Sequence, residues 1–290
     1  MQQIDIGIIG GSGLYRLANL QDPKEVRVET PFGTPSDSFV TGMLNGKRVA
    51  FLARHNRNHT MLPTEINYRA NIYAFKMLGA RYLISASAVG SLKEAYAPTH
   101  FVFPDQFIDR TRHRPDTFFG EGIVAHVSLA DPLCPYLQEV MYQAAIQAGV
   151  TSHKGGTYVC MEGPQFSTRA ESFLYRSWGA DVIGMTNLQE AKLAREAEIP
   201  YATMAMITDY DCWHEEEEAV TVDQVIKTLH QNAQAATDTV SIAVAQIDLD
   251  HKNPLHDALQ FAILTQEANM PAERKRALKA ILNKYVDCGS

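Results

Sequence analysis

The chain has 290 residues, 46% of them hydrophobic, so it can bury a large core as one large domain or two small ones. Its formal net charge of -7 argues against a surface for nucleic acid or for an anionic membrane. The four cysteines are scattered without a CxxC pair, which favours a reducing cytoplasm over a disulfide scaffold. No signal peptide and no membrane-spanning apolar stretch are expected.

Short β-rich runs alternate with helical patterns, which predicts an α/β fold. Predicted strands cover residues 4–9, 47–53, 81–87, 157–161, 181–185 and 200–208. Predicted helices cover residues 63–78, 136–148, 168–178, 188–197 and 221–247, the last opened by a capping-box pattern. No linker separates two cores, so we expect one domain over residues 1–264. Residues 265–290 form a basic extension, which we expect to be helical and to lie in solvent.

Two acids, Asp209 and Asp211, follow the apolar run at 202–207. Residues i and i+2 of a strand project to the same side, and strand ends in α/β proteins can face a ligand crevice. Two acids placed there can accept a hydrogen bond from an exocyclic amine and give a proton to a ring nitrogen, which suits a 6-aminopurine. The alternative is a loop whose acids are solvated.

Anion-binding groups also fall at predicted strand ends. The glycine-rich turn at 10–13 contains Ser12, a second strand ends in Arg54 and His55, and Ser87 lies near the end of a third. Backbone amides of such a turn, a guanidinium fork and hydroxyls can together bind free phosphate without a metal. The alternatives are a simple turn and an arginine that forms a surface ion pair.

A further turn, at 162–167, offers an aromatic ring and a hydroxyl. Phe166 can stack on a flat ring and Ser167 can reach its edge, although a buried Phe166 in a Pro-Gly turn is an equal alternative. Met185, at another strand end, can lie beneath a sugar. The chain has no HExxH motif, no Cys/His quartet and no GxSxG motif, which disfavours a metal site and a serine hydrolase.

Eight segments resemble one enzyme family, in order and at its spacing over roughly residues 5–264: GIIGGSGL, ETPFGTPSD, LARHNRNHT, NYRANIYA, DQFIDRT, MEGPQFSTRAES, WGADVIGMT and ATMAMITDYDCW. The family is the 5′-methylthioadenosine phosphorylases, within the trimeric purine nucleoside phosphorylase superfamily. The resemblance implies a single α/β domain, with a mixed central sheet partly closed into a barrel and flanked by helices. It also implies a homotrimer that splits methylthioadenosine with inorganic phosphate as co-substrate and needs no other cofactor.

The resemblance also implies roles for individual residues. Phosphate binding falls to Ser12, Arg54, His55 and Ser87. Base and ribose binding falls to Phe166, Ser167, Met185 and Thr186. Asp209 and Asp211 read adenine, with Asp209 as general acid. The pocket for the methylthio group consists of Val222, Val225 and Ile226. His126 and Leu264 from a neighbouring subunit complete this pocket.

The chain departs from the family pattern at Asn56, at residues 187–189 and in the extension beyond about residue 265. Asn56 tolerates the left-handed backbone of the usual glycine, whereas residues 187–189 are expected to affect the base pocket.

Several alternatives remain open. A 6-oxopurine phosphorylase would have Glu at the position of Ser167, and adenosine or methylthioinosine would be related substrates. A dinucleotide-binding oxidoreductase is disfavoured by the incomplete glycine fingerprint. A non-catalytic purine-binding protein would have no use for the phosphate-binding groups.

Overall fold

The computed structural model describes residues 3–11, 14, 19–214 and 222–289, and within the last range it leaves out the side chains of Val222 and Gln224. The strands are β1 (Ile6–Gly10), β2 (Gln21–Val26), β3 (Phe39–Leu44), β4 (Lys47–Ala53), β5 (Tyr82–Ser91), β6 (Phe101–Phe103), β7 (Gln106–Arg110), β8 (Ser152–Lys154), β9 (Thr157–Met161), β10 (Val182–Gly184) and β11 (Tyr201–Asp209). The helices are α1 (Tyr68–Leu78), α2 (Pro135–Gln147), α3 (Arg169–Ser177), α4 (Asn187–Glu196), α5 (Val222–Gln246), α6 (Ala272–Ala277) and α7 (Lys279–Leu282), with 3-10 turns at Pro254–Asp257 and Glu267–Asn269.

All the described strands belong to one mixed sheet that forks at β5. β1 lies between β4 and β5 and is parallel to both. Strand β5 also pairs in parallel with β11, and its carboxy-terminal end pairs with antiparallel β10. Every residue of β1 and of β11 is buried, as expected for strands covered on both faces. The predicted α/β fold with a mixed sheet and flanking helices is confirmed.

The two branches of the sheet end at β7 and β8, each with a single partner strand. Hydrogen bonds among the described strands therefore do not complete a ring, and partial closure into a barrel stays a prediction. No helix in the described part of the chain is long and apolar enough to cross a membrane.

Local patterns placed most central elements but missed β2, β3, β6, β7 and β8. Strand β2 is polar, exposed and contains Pro23, and β6 and β8 have only three residues each. Such strands exist because a neighbouring strand completes their hydrogen bonds, which no local pattern shows.

The helix predicted from residue 63 begins at Tyr68, because the Asn67 side chain caps it by accepting from the Ala70 amide at 3.1 Å. The capping-box residue Thr221 lies outside the described residues.

The carboxy-terminal segment is not a solvated appendage, so that expectation is wrong. Leu278, Ile281 and Leu282 are at most 1% exposed and belong to a hydrophobic cluster with α1. The Tyr73 hydroxyl donates to the Ala277 carbonyl at 2.7 Å and accepts from the Ala280 amide at 3.1 Å. The expected helix forms as two short helices, α6 and α7. Whether a domain boundary falls at residue 264 stays a prediction.

Candidate active site

A cavity of about 950 Å³ opens where β5 and β11 end, with α5 as one wall. Nine of the residues predicted for the site line this cavity: His55, Ser87, Phe166, Met185, Thr186, Asp209, Asp211, Val225 and Ile226. Arg54, Ser167, His126 and Leu264 are described but do not line it. Ser12 and the Val222 side chain lie outside the described part of the chain.

The acid pair lies at the end of β11 and is nearly inaccessible, with Asp209 and Asp211 each 6% exposed. The Asp209 carboxylate accepts from the Thr208 hydroxyl at 2.7 Å and from the Asp211 amide at 2.8 Å. A β-carbon on Gly90 would lie 2.9 Å from Asp209 Oδ1, so this approach requires glycine in the neighbouring strand. Burial raises the pKa of the Asp211 carboxyl above its usual range.

The two acids meet in the cavity for a different reason from the one that the strand pattern suggested. The pairing of β11 with β5 shifts register between Ile207 and Asp209, and the strand ends there. Asp211 then has a φ of 53°, in the left-handed region, and its amide folds back onto the Asp209 carboxylate. A tight Asx-type turn therefore places both acids in the cavity wall, rather than the alternation of a continuing strand.

Arg54 is buried against Gly11 and is held by protein groups. Its guanidinium forms a bidentate ion pair with Glu190, donates to Ser85 Oγ at 2.6 Å, and donates to the Ala86 carbonyl at 3.0 Å. These contacts use four of its five N–H donors. A β-carbon on Gly11 would lie 2.4 Å from Arg54 Nη1, so the Gly11 backbone lies directly against the guanidinium. The role of Arg54 in phosphate binding stays a prediction.

The ion-paired carboxylate of Glu190 orders a hydrogen-bond network that reaches the cavity. Because it has only acceptor oxygens, the hydroxyls of Ser85 and Tyr201 donate to it, each at 2.8 Å. Their oxygens accept from the Asn187 amide nitrogen at 3.0 and 2.9 Å. The Asn187 oxygen must then face Ser87, whose hydroxyl donates to it at 2.6 Å. Ser87 therefore presents oxygen lone pairs to the cavity.

This network explains one departure from the family pattern and reveals residues that the sequence analysis missed. Asn187 and Gln189 are fully buried, and neither lines the cavity. Asn187 orients Ser87 from behind, whereas Gln189 accepts from Arg114 Nη1 at 3.0 Å. Glu190 was not identified as important, because two of its partners, Ser85 and Arg54, lie 105 and 136 positions away.

Like Ser87, His55 can accept a hydrogen bond from a group in the cavity, through its ring Nε2. Its Nδ1 lies 2.9 Å from the Met61 carbonyl, which cannot donate, so Nδ1 carries the hydrogen and Nε2 is left to accept. Burial, together with the neighbouring Arg54 charge, lowers the pKa of His55 to about 4. His55 is therefore a neutral imidazole near pH 7, and it stacks on His59 with ring centroids 4.8 Å apart.

Phe166 also lines the cavity; it is 44% exposed and is therefore not a core residue. Ser167 was predicted to reach the edge of a bound ring, but it does not line the cavity, and its hydroxyl contacts the Met161 sulfur at 3.6 Å. Arg114, which the sequence analysis missed, is buried and donates to the backbone carbonyls of Met185 and Glu162. It thereby ties together the segments that carry Phe166 and Met185, the residues predicted to contact the base and the sugar.

His126 and Leu264 lie together, although 138 positions separate them in the chain. The Ala262 carbonyl accepts from the His126 amide and the Val124 carbonyl accepts from the Leu264 amide, both at 2.9 Å. Leu264 is 64% exposed and the nearby Phe261 is 89% exposed. These residues form an outward-facing apolar patch that does not contribute to the cavity of the same subunit.

Known proteins of one superfamily are similar to this chain over most of its length. Residues 5–245 match the model of the phosphorylase superfamily, and the chain belongs to that superfamily. Its relatives include the S-methyl-5′-thioadenosine phosphorylases of Koribacter versatilis, 60% identical over 98% of this chain and 97% of the relative, and of Geobacter sulfurreducens, 57% identical over 99% and 100%.

Solved structures give the same result. A methylthioadenosine phosphorylase from an Antarctic soil metagenomic library superposes with a TM-score of 0.93 at 52% identity, over 97% of this chain and all of that one. The Schistosoma mansoni methylthioadenosine phosphorylase in complex with adenine superposes with a TM-score of 0.82 at 34% identity, over 89% and 96%. The bacterial alignments leave out only 1–2% of this chain, so most of residues 265–290 have counterparts there. The expectation that this segment is untypical of the family is therefore wrong for these relatives.

Proposed function

We propose that the protein is an S-methyl-5′-thioadenosine phosphorylase, a pentosyltransferase that converts methylthioadenosine and inorganic phosphate into adenine and 5-methylthioribose 1-phosphate. Full-length identity of 57–60% with phosphorylases of that name supports this substrate. The observation that carries the chemistry is the buried acid pair at the end of β11, in a cavity large enough for a nucleoside and phosphate. The reaction serves purine and methionine salvage.

The chemical problem is the poor leaving group, because adenine departs as an anion unless its N7 is protonated. Asp209 acts as the general acid at N7, and Asp211 contributes to recognition of the 6-amino group. Burial raises the pKa of Asp211 above its usual range, so this wall of the cavity disfavours a charged carboxylate. The transition state is a ribosyl oxocarbenium ion between the departing base and phosphate, with Phe166 against the purine and Met185 beneath the sugar.

Phosphate is both the nucleophile and the electrostatic partner of the sugar cation. Ser12 and Arg54 are proposed donors to it, whereas His55 and Ser87 offer acceptors because their hydrogens are committed to Met61 and Asn187. These acceptors suit a phosphate that retains a proton. Phosphate is a co-substrate, and the mechanism uses no metal and no other cofactor.

The methylthio end of the site requires a second subunit. Val225 and Ile226 line the cavity from one helical face of α5, and Ile226 is 45% exposed. A small apolar group gains about 0.8 kcal/mol per methylene only when it is buried on several sides. The exposed patch with Leu264 and His126 is suited to close a neighbour's cavity, which gives a homotrimer with three sites. The free cysteines are consistent with a cytoplasmic location.

One assay tests the substrate and another tests the assembly. Phosphate-dependent cleavage of methylthioadenosine, adenosine, methylthioinosine and inosine, followed by release of the base, should be fastest for methylthioadenosine and should cease without phosphate. Faster cleavage of a 6-oxopurine nucleoside would contradict the proposed base recognition.

For assembly, light scattering should report a trimer. Inactive Leu264→Asp and Asp209→Asn chains should regain some activity after subunit exchange, since a mixed site combines intact Asp209 and Leu264. A fully active monomer, or no recovery despite proven exchange, would show that each site closes within one chain.

A further inference from the structure

A second cavity, of about 510 Å³, lies at the far end of the sheet from the acid pair. Its walls come from residues 128–136, from the carboxy-terminal end of α4 and from residues 251–258. The Cys134 amide beside it donates to the carbonyl of Tyr201, the first residue of β11, whereas Asp209 is the last. Eight residue steps of a strand span about 26 Å, so the two cavities are separate.

Arg195 is a wall of this cavity and carries a buried charge. The protein buries Arg54, Arg114 and Arg195 within its described residues, to 8% exposure or less. The first two form ion pairs with Glu190 and Glu162. No carboxylate oxygen of the described residues lies within ion-pairing distance of Arg195, which differs from the other two in this respect.

The contacts of Arg195 leave it able to bind a ligand. The residue is 7% exposed, and its guanidinium donates to the backbone carbonyls of Ser128 and Asp131, both at 2.5 Å. These contacts use two of its five N–H donors. Burial lowers the pKa of Arg195, because neutral carbonyls compensate a buried cation less well than a carboxylate does. The Asp131 carboxylate attracts Arg195 only from beyond ion-pairing distance, so an anion that entered the cavity would supply a direct counter-charge.

The other walls define what kind of anion fits. Leu133, Pro254, Leu255 and Ala258 give the cavity apolar sides, and the amino-terminal end of α2 adds a favourable partial charge. Asp131 lies exposed at the rim and would repel a multiply charged group. The cavity therefore favours a ligand that carries one negative charge and has an apolar part, because it offers one guanidinium, apolar walls and an acid at the rim.

We propose that this cavity binds a small organic carboxylate, with its carboxylate on Arg195 and its apolar part against Leu133, Leu255 and Ala258. Arginine presents a planar fork that matches a carboxylate in a bidentate arrangement. The proposal concerns a site apart from the acid-lined cavity and does not depend on the reaction catalysed there.

The test uses the full-length protein and hexanoate as the probe, with hexanamide as the neutral analogue of the same shape. Titration calorimetry should detect binding of hexanoate, and hexanamide should bind at least about tenfold more weakly, because it lacks the charge-assisted hydrogen bonds. Inorganic phosphate in a third titration should not compete with hexanoate.

Three variants locate the binding. Arg195→Gln should weaken hexanoate binding at least about tenfold, whereas Arg276→Gln, which removes the same charge from the exposed surface of α6, should not. Ala258→Phe fills the cavity while it leaves Arg195 in place, so it should also abolish binding and serves as the test if Arg195→Gln does not fold. No detectable hexanoate binding by the unaltered protein, equal binding of hexanamide, competition by phosphate, or binding that survives Ala258→Phe would each overturn the proposal.

Discussion

Replacement of Asp209 by Asn tests the proposed chemistry with little structural disturbance. The amide oxygen of the new side chain can still accept from the Asp211 amide, which lies 2.8 Å from Asp209 Oδ1 in the unaltered protein. Its NH₂ group would face the Thr208 hydroxyl, whose own hydrogen can turn to the Val89 carbonyl at 3.2 Å. Both contacts therefore survive, so a lower rate would report the loss of the acid and not of the fold.

The expected loss follows from the role of a general acid. Removal of proton transfer to the leaving group lowers turnover about 100- to 10,000-fold, or about 3–5 kcal/mol in the activation barrier. Steady-state release of adenine from methylthioadenosine at saturating phosphate measures this, and KM for the nucleoside should change much less than kcat. Circular dichroism and thermal unfolding of the variant confirm that the fold is retained.

A modified substrate separates acid catalysis from simple positioning. Methylthioadenosine methylated at N7 already carries a positive charge on the base, so its departure needs no proton. On this substrate the loss caused by Asp209→Asn should shrink to less than about tenfold, because only positioning is affected. Near-native turnover of the variant on methylthioadenosine, or the same large loss on the methylated substrate, would refute the assignment of Asp209 as the acid.

Three further predictions concern the network, the end of α4 and the carboxy-terminal segment. Asn187→Ala removes the partner of Ser87 and should raise KM for phosphate about tenfold in initial-rate assays, with a smaller effect on KM for the nucleoside; equal changes in both would contradict it. Burial raises the pKa of Glu196 to about 7 from an ordinary 4.5, because the buried site favours the protonated carboxyl. The stability that this protonated form contributes is fully present below pH 4.5 and is lost as the pH rises through 7. Urea unfolding should therefore show that Glu196→Gln gains about 3 kcal/mol relative to the unaltered protein between pH 4.5 and 8.5, and a pH-independent difference would refute the assignment. Leu282→Ala should lower the free energy of unfolding by about 2–5 kcal/mol, whereas Lys279→Ala on the exposed side of α7 should have little effect, and equal effects would show that the segment is peripheral.

The sequence by itself determined the family and nine of the residues that line the cavity. Except for Val225 and Ile226 on α5, those residues belong to segments at or near the ends of apolar strands, where a local pattern shows both the strand and the side chains that follow it. Asp209, Ser87 and Phe166 were found in this way and lie in the cavity wall. The long helix α5 and the buried strand β11 were also predicted, because each has a strong periodicity or an uninterrupted apolar run.

The tertiary structure decided how those groups are held and what they can donate. The bond between Ser87 and Asn187 joins residues 100 positions apart, and the ion pair of Arg54 with Glu190 joins residues 136 apart. Short edge strands, the packing of Leu282 against α1 and the buried charge of Arg195 likewise depend on neighbours that are distant in the chain. Local patterns report a residue's own propensity and the solvent exposure of its face, whereas hydrogen-bond direction and charge compensation arise only when distant segments meet.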